Sequence, residues 1–240
     1  MYQERLYRNE YPAHWHRLRV TVAETDLLIL SAHPLNISEL ERTVHRLRRD
    51  IESVIVADQG FATALSAYHK PVADKPVIVQ EMIEAGNRCD VGPMAAVAGA
   101  VAEAVAHEYV ERAGEIIVEN GGDIFVMRKA QVLRLRIFTG DPVWDRIVFE
   151  IPLRGKPCGI CSSSGRLGPS LSLGRADLVM IVSSSCAFAD ALATRVANMV
   201  VDENDIDRAV AYARSFALTS AVLVVRGESI GLWGDLRIAS

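Results

Sequence analysis

Apolar residues alternate with polar ones at Leu18, Val20 and Val22, and a second apolar run at 27–30 follows directly after Glu24, Thr25 and Asp26. Period-two alternation interrupted by a short polar stretch predicts two strands joined as a hairpin. From Ser38 the period lengthens. Leu40, Val44, Leu47 and Ile51 lie 4, 3 and 4 residues apart, as one face of an amphipathic helix requires, and Ser38 with Glu41 fits a capping box at its start. Arg42, His45, Arg46, Arg48 and Arg49 fall on the opposite side and predict a solvated helix face rather than a phosphate-binding one. Residues 54–57 predict a short strand, 58–74 a polar loop long enough to act as a lid or binding loop, and 76–80 a further extended segment.

Gly92 and Pro93 open a second helix, which Gly114 closes with Arg112 in its last turn. Met94, Val97, Val101, Val105 and Tyr109 form its stripe, while Ala95, Ala96, Ala98, Gly99, Ala100 and Ala102 keep the first half small on every side. Such a helix runs through a core, and Gly99, about 1 kcal/mol worse than alanine in an exposed helix, predicts another element passing close to it. Strands at 115–119 and 124–127 flank Asn120-Gly121-Gly122-Asp123. Leu133, Leu135 and Ile137 pair with Ile147, Phe149 and Ile151 across Gly140-Asp141-Pro142. Beyond a loop at 156–177 come a buried strand at 178–182, a helix carrying Asp190, a helix at 206–216 and a hairpin of 221–226 with 229–233. Strands arranged as hairpins predict an α+β fold of antiparallel sheets with buried helices, forming one domain over 1–240. A helix followed by a hairpin occurs twice and suggests two intimately packed, pseudo-repeated halves. No G-x-G-x-x-G fingerprint links a strand to a helix.

Half of the 240 residues are hydrophobic, enough to bury a large core. A formal charge of -4 argues against a nucleic-acid surface and for a small-molecule ligand. Charges among the first eight residues leave no apolar core for an export signal. The longest apolar run, 91–102, is too short to span a bilayer, so a cytoplasmic protein with four reduced cysteines is expected.

Candidate chemistry lies in four places. Asp190 and Thr194 share one helix face among small apolar residues, and a carboxylate there needs water, backbone N–H groups or a hard cation as partner. Asn120, Gly121, Gly122 and Asp123 suit a tight turn, and the same side-chain-free glycines would let a planar ring or phosphate approach. Ser162, Ser163 and Ser164, between Gly159 and Arg166, offer hydroxyls and backbone N–H groups to an anion. So do 183–185 at a helix start, and in both cases, taken alone, an ordinary serine-rich turn or cap is the preferred reading. Cys158 and Cys161 form a C-x-x-C that invites thiol or zinc chemistry, but Cys89 and Cys186 stand isolated with no His companion to complete a zinc site. No Ser-His-Asp arrangement follows from spacing, and the catalytic residue is left unassigned.

Together, Asp90-Val-Gly-Pro-Met94-Ala-Ala, Glu119-Asn-Gly-Gly-Asp123-Ile-Phe, Gly159-Ile-Cys-Ser-Ser-Ser-Gly165 and Ala189-Asp-Ala-Leu-Ala-Thr194 resemble an uncharacterised branch of the ApbE superfamily, relatives of FAD:protein FMN transferases. The resemblance runs from Glu24 to Gly234. It implies FAD or FMN as ligand and Mg²⁺ held by Asp190, Thr194 and a backbone carbonyl near Gly92 or Pro93. It also implies a flavin ring against the turn of Gly92, Pro93 and Met94 and the turn at 120–123. A protein acceptor or redox partner would then complete the reaction. The transferases carry a His within His-x-x-Asp-Pro, and members of this branch often show His-Ser-Leu-Ser after a glycine. Here the text reads Gly168-Pro169-Ser170-Leu171-Ser172, and proline can neither accept a proton nor form a covalent intermediate. Turnover of FAD is therefore left open. The branch's association with sulfide assimilation into homocysteine implies the alternative: an accessory protein that works through Cys158 or Cys161, or through a partner.

Overall fold

The computed structural model describes residues 15–165 and 174–239. Among them, eight antiparallel strands form one sheet in the order β1 (His16–Val22), β2 (Thr25–Ser31), β3 (Ile116–Asn120), β4 (Asp123–Met127), β7 (Cys158–Ser163), β8 (Leu178–Ser183), β9 (Thr219–Arg226) and β10 (Ser229–Gly234). A smaller sheet of β5 (Val132–Arg136), β6 (Val148–Pro152) and β11 (Arg237–Ile238), with β6 central, covers one face of it. Helices α1 (Ile37–Ala57), α2 (Gln59–Thr63), α3 (Val77–Cys89), α4 (Val97–Ala113), α5 (Cys186–Met199) and α6 (Ile206–Arg214) lie on the other face. This is the α+β arrangement of antiparallel sheets and buried helices that the sequence predicts. Because both faces are covered, β2, β3 and β8 are buried at every position, and their apolar residues stand in consecutive runs rather than alternating with polar ones. Leu27 and Ile29 point to the helices, whereas Leu28 and Leu30 point to the small sheet.

Both outer hairpins form in the predicted places, with Leu18 opposite Ile29 and Leu232 opposite Leu223. Helix α4 is buried at Gly99, Ala100, Val101, Ala102, Val105, Ala106 and Tyr109, which fits a helix surrounded by other elements. Its first turn is a 3₁₀ turn, Pro93–Ala96, and Gly114 ends it at φ +72°, its N–H bonded to the Val110 carbonyl.

Four local expectations are corrected. Residues 54–57 continue α1 instead of forming a strand, since Val54 extends the buried face three residues past Ile51. The cap of that helix is Asn36, whose side chain accepts from the Ser38 and Glu39 amides, and not Ser38. Residues 76–80 open α3, with Pro76 suited to a helix start; buried Ile78, Val79, Met82, Ile83, Gly86 and Cys89 keep helical period where the first few read as extended. The stretch 156–177 contains β7, a central strand of the large sheet. Gly159 and the serines weaken its strand signal, and Gly159 is required because a Cβ there would stand 2.6 Å from the Cys186 Cα.

No single helix among the described residues is long and apolar enough to cross a membrane.

Candidate functional site

Asp190 sits on the second turn of α5, 9% exposed, on a helix whose buried residues are otherwise small or apolar. Small residues let α4 come close. A Cβ on Gly99 would stand 2.4 Å from the Cys186 carbonyl oxygen and 2.9 Å from the Asp190 Cβ, so only glycine fits that crossing. The Gly99 amide donates to Asp190 Oδ2 at 2.9 Å, and the Ala98 amide also favours the carboxylate. Burial nonetheless pushes Asp190 well above the usual carboxylate range, and the charge of Asp123 adds to the rise.

Asp123 belongs to the β3–β4 turn. Asn120 pairs with Asp123, leaving a two-residue loop whose glycines take φ +70° at Gly121 and +105° at Gly122, which side chains disfavour. Hydrogen bonds from three sides hold this turn. The Gly122 amide donates to Glu119 Oε1 at 2.8 Å, the Asn120 side-chain amide to the Ala98 carbonyl at 3.1 Å, and the Ser162 amide to Asp123 Oδ1 at 3.2 Å. Ser162 Oγ lies 3.4 Å from the Gly122 carbonyl oxygen. The turn at 120–123, Ala98 and Gly99, Ser162 and Asp190 therefore meet at one point, with two carboxylates, each under 10% exposed, acting on one another.

The remaining sequence-predicted residues lie around this junction or beside it. Thr194 is one turn beyond Asp190 on the same α5 face and half-buried. Ser163 is buried, and its Oγ has no hydrogen-bond partner among the described residues; Ser164 is half-buried. Gly92 and Pro93 are buried and Met94 half-buried, in a turn packed on α3 and α5. The Gly92 carbonyl accepts from the Ala95 amide at 3.1 Å, and a Cβ on Gly92 would meet the Ala64 carbonyl at 1.7 Å. Pro169 and Arg166 lie outside the described residues. No group of three or more His, Cys, Asp or Glu side chains forms a metal-binding cluster among the described residues.

Three expectations about anions and thiols change. The α5 start offers no open anion site, because Glu103 occupies it: Oε2 accepts from the Cys186 amide at 2.8 Å, the Ala187 amide at 3.2 Å and Ser185 Oγ at 3.3 Å. Sequence reasoning missed this residue, although a Glu in the Ala/Val-rich first half of a helix expected to be buried was the available signal. Glu103→Ala is expected to destabilise the protein by about 1–3 kcal/mol, seen as a lower denaturation midpoint at unchanged m-value. The β7 serines likewise are not a flexible cradle, since through Ser163 that strand is paired with β8. In the C-x-x-C, Cys158 faces the small sheet and Cys161 faces the helices, so the motif does not pair. Cys161 instead meets Cys186, which looked isolated in the sequence.

A hollow of about 460 Å³ on the small sheet, lined by Arg134, Arg146, Ile147, Val148, Ile238 and Ala239, has no carboxylate, thiol or hydroxyl side chain in its wall.

Residues 8–220 match the family described as AbpE bacteria. The chain is 33% identical to a UPF0280 protein of Methanobrevibacter smithii over 205 residues, covering 83% of this chain and 86% of the relative. To a UPF0280 protein of Methanopyrus kandleri it is 34% identical over 225 residues, 90% of each chain. The fold is similar to that of the Pseudomonas stutzeri flavinyl transferase ApbE in its apo form (TM-score 0.58, 10% identity, covering 91% of this chain and 94% of that one). It is similar also to the ApbE protein of Thermotoga maritima (TM-score 0.57, 15% identity, 90% and 96%). With a family match across most of its length and relatives that share a third of its residues, the chain belongs to the AbpE bacteria family and has an ApbE-like fold.

Proposed function

We propose that this protein is a cytoplasmic flavin-nucleotide binder that takes FAD, or FMN, together with Mg²⁺ held at Asp190 and Thr194. The observation that carries this reading is the buried pair of carboxylates, Asp190 and Asp123, at the junction of a glycine turn, the start of α4 and β7. Two adjacent buried carboxylates require a proton or a cation, and all-oxygen donors suit a hard one. Mg²⁺ commonly takes one or two carboxylates and completes its shell with water and substrate phosphates, so a site with few protein ligands fits it. When bound, it would neutralise the pyrophosphate charge that grows as a P–O bond breaks.

The chain's own residues have separate tasks in this reading. Gly121 and Gly122 admit the isoalloxazine ring to the backbone, with Pro93 and Met94 as a second wall. The tie from Asn120 to Ala98 and that from Ser162 to Asp123 hold the turn at a fixed distance from Asp190. Ser163 Oγ, buried with no partner among the described residues, and Ser162 and Ser164 beside it offer hydroxyls to the nucleotide. Pro169 in place of histidine favours binding, or hydrolysis of FAD, over histidine-assisted transfer of FMN to a protein acceptor. The competing role, an accessory protein in sulfide assimilation that presents Cys158 or Cys161 as a surface nucleophile, is disfavoured because both are buried in the closed fold. Burial pushes Cys158 up to about 12 and holds Cys161 well above the ordinary thiol range.

Titration of FAD and FMN into cation-free and Mg²⁺-loaded protein, followed by flavin fluorescence, tests the reading. FAD should bind with micromolar or tighter affinity in the presence of Mg²⁺, and Asp190→Ala should weaken it at least about tenfold. AMP or FMN among the products identifies turnover, and its absence identifies a binder. Failure of both flavins to bind, with and without Mg²⁺, ends the proposal.

A further inference from the structure

Cys161 Sγ lies 3.4 Å from Cys186 Sγ, and both residues are fully buried. The backbone imposes this contact. Gly159 on β7 and Gly99 on α4 each leave no room for a Cβ beside Cys186, 2.6 Å from its Cα and 2.4 Å from its carbonyl oxygen, so the first residue of α5 is clamped from both sides. Only weak thiol bonds engage the sulfurs otherwise: Cys161 Sγ donates to the Cys186 carbonyl at 3.3 Å, and Cys186 Sγ to the Ile124 carbonyl at 3.5 Å. A disulfide has its sulfurs about 2.05 Å apart, so roughly 1.4 Å of approach closes one. Cys158 points into the other core and does not compete for Cys161.

We propose that Cys161 and Cys186 are a redox-active dithiol site, which closes to an intramolecular disulfide by exchange with a low-molecular-weight disulfide. One cysteine thiolate attacks a sulfur of the reagent, breaks its S–S bond and releases the first small thiol. The second cysteine then attacks the mixed disulfide, forms the Sγ–Sγ bond and releases the second small thiol. The protein pair loses two electrons, the reagent gains them, and the two cysteine protons end on the released thiols. Burial and the charges of Asp123 and Asp190 keep both thiols protonated in the closed fold, so exchange passes through molecules whose first α5 turn has opened. Once made, the bond ties β7 to the turn of α5 directly ahead of Asp190. This site does not depend on flavin binding, and either can fail without the other.

The test is incubation of the folded protein with excess oxidised glutathione, acid quenching, denaturation, alkylation and peptide mapping. Two of the four cysteines, Cys89 and Cys158, should be alkylated, with Cys161 linked to Cys186, and the melting temperature should rise by several degrees and return on reduction. Cys158→Ser should keep the link and the shift, and Cys161→Ser should lose both. Alkylation of all four cysteines, a persistent glutathione adduct, or a link between Cys158 and Cys161 would overturn the proposal, and mapping of the wild-type protein decides this even where a variant fails to fold.

Discussion

Asp190→Asn is expected to stabilise the cation-free protein at neutral pH by about 1–4 kcal/mol while abolishing its stabilisation by Mg²⁺. The substitution keeps the side-chain volume and leaves an oxygen for the Gly99 amide, which bonds Asp190 at 2.9 Å, but it removes a charge that burial and the neighbouring Asp123 disfavour. The sign follows from the raised carboxyl pKa. Below the ordinary carboxylate range the folded and unfolded states are both protonated, and the wild-type contribution is fully present. As the pH rises toward the folded-state value the unfolded state ionises first, and that stability is lost. Melting curves of the two proteins in a chelator should therefore converge in acid and separate toward neutrality, with the variant higher. Mg²⁺ at a hundred times its dissociation constant should restore about 2.7 kcal/mol to the wild type and nothing to the variant. A wild type more stable than Asp190→Asn in chelator at pH 8, with equal Mg²⁺ shifts for both, would refute the cation site.

The second large effect belongs to Gly99. Glycine in mid-helix is about 1 kcal/mol worse than alanine, so Gly99→Ala would help an isolated α4. In the fold the new methyl would stand 2.4 Å from the Cys186 carbonyl oxygen and 2.8 Å from its carbon, both backbone atoms of a turn held by Glu103 and by Cys161. The crossing must open, and a net loss of roughly 2–3 kcal/mol is expected, together with the bond that the Gly99 amide makes to Asp190. Denaturant unfolding measures the first, and the flavin titration measures the second. Stability and affinity equal to wild type would show that the helix crossing has slack the geometry denies.

Much of the fold was legible because period and punctuation are local. Hairpins β1–β2 and β9–β10, the amphipathic face of α1 and the Gly114 stop of α4 each follow from residues a few positions apart. Some errors arise where a segment's conformation answers to a distant neighbour and its own propensity misleads, others where the local window was too short. Glycine and serines made β7 look like a loop, yet Gly159 is there for the backbone of Cys186. The β-branched opening of α3 read as extended because its buried face becomes periodic only further along the helix.

The candidate site divides in the same way. The residue types and order of its motifs, an isolated carboxylate on a helix of small residues, a glycine pair between two strands and a Gly-Pro ahead of a core helix, were written in the chain itself, because local sterics and the cost of a buried charge restrict which residues can stand there. Only tertiary packing could bring Asp123 to Asp190, put Glu103 on the α5 amides and turn Cys161 away from Cys158 toward Cys186. Those contacts join residues 25 to 84 positions apart, and the pairing of strands and the closeness of two helices at a glycine set them, quantities that no local pattern encodes.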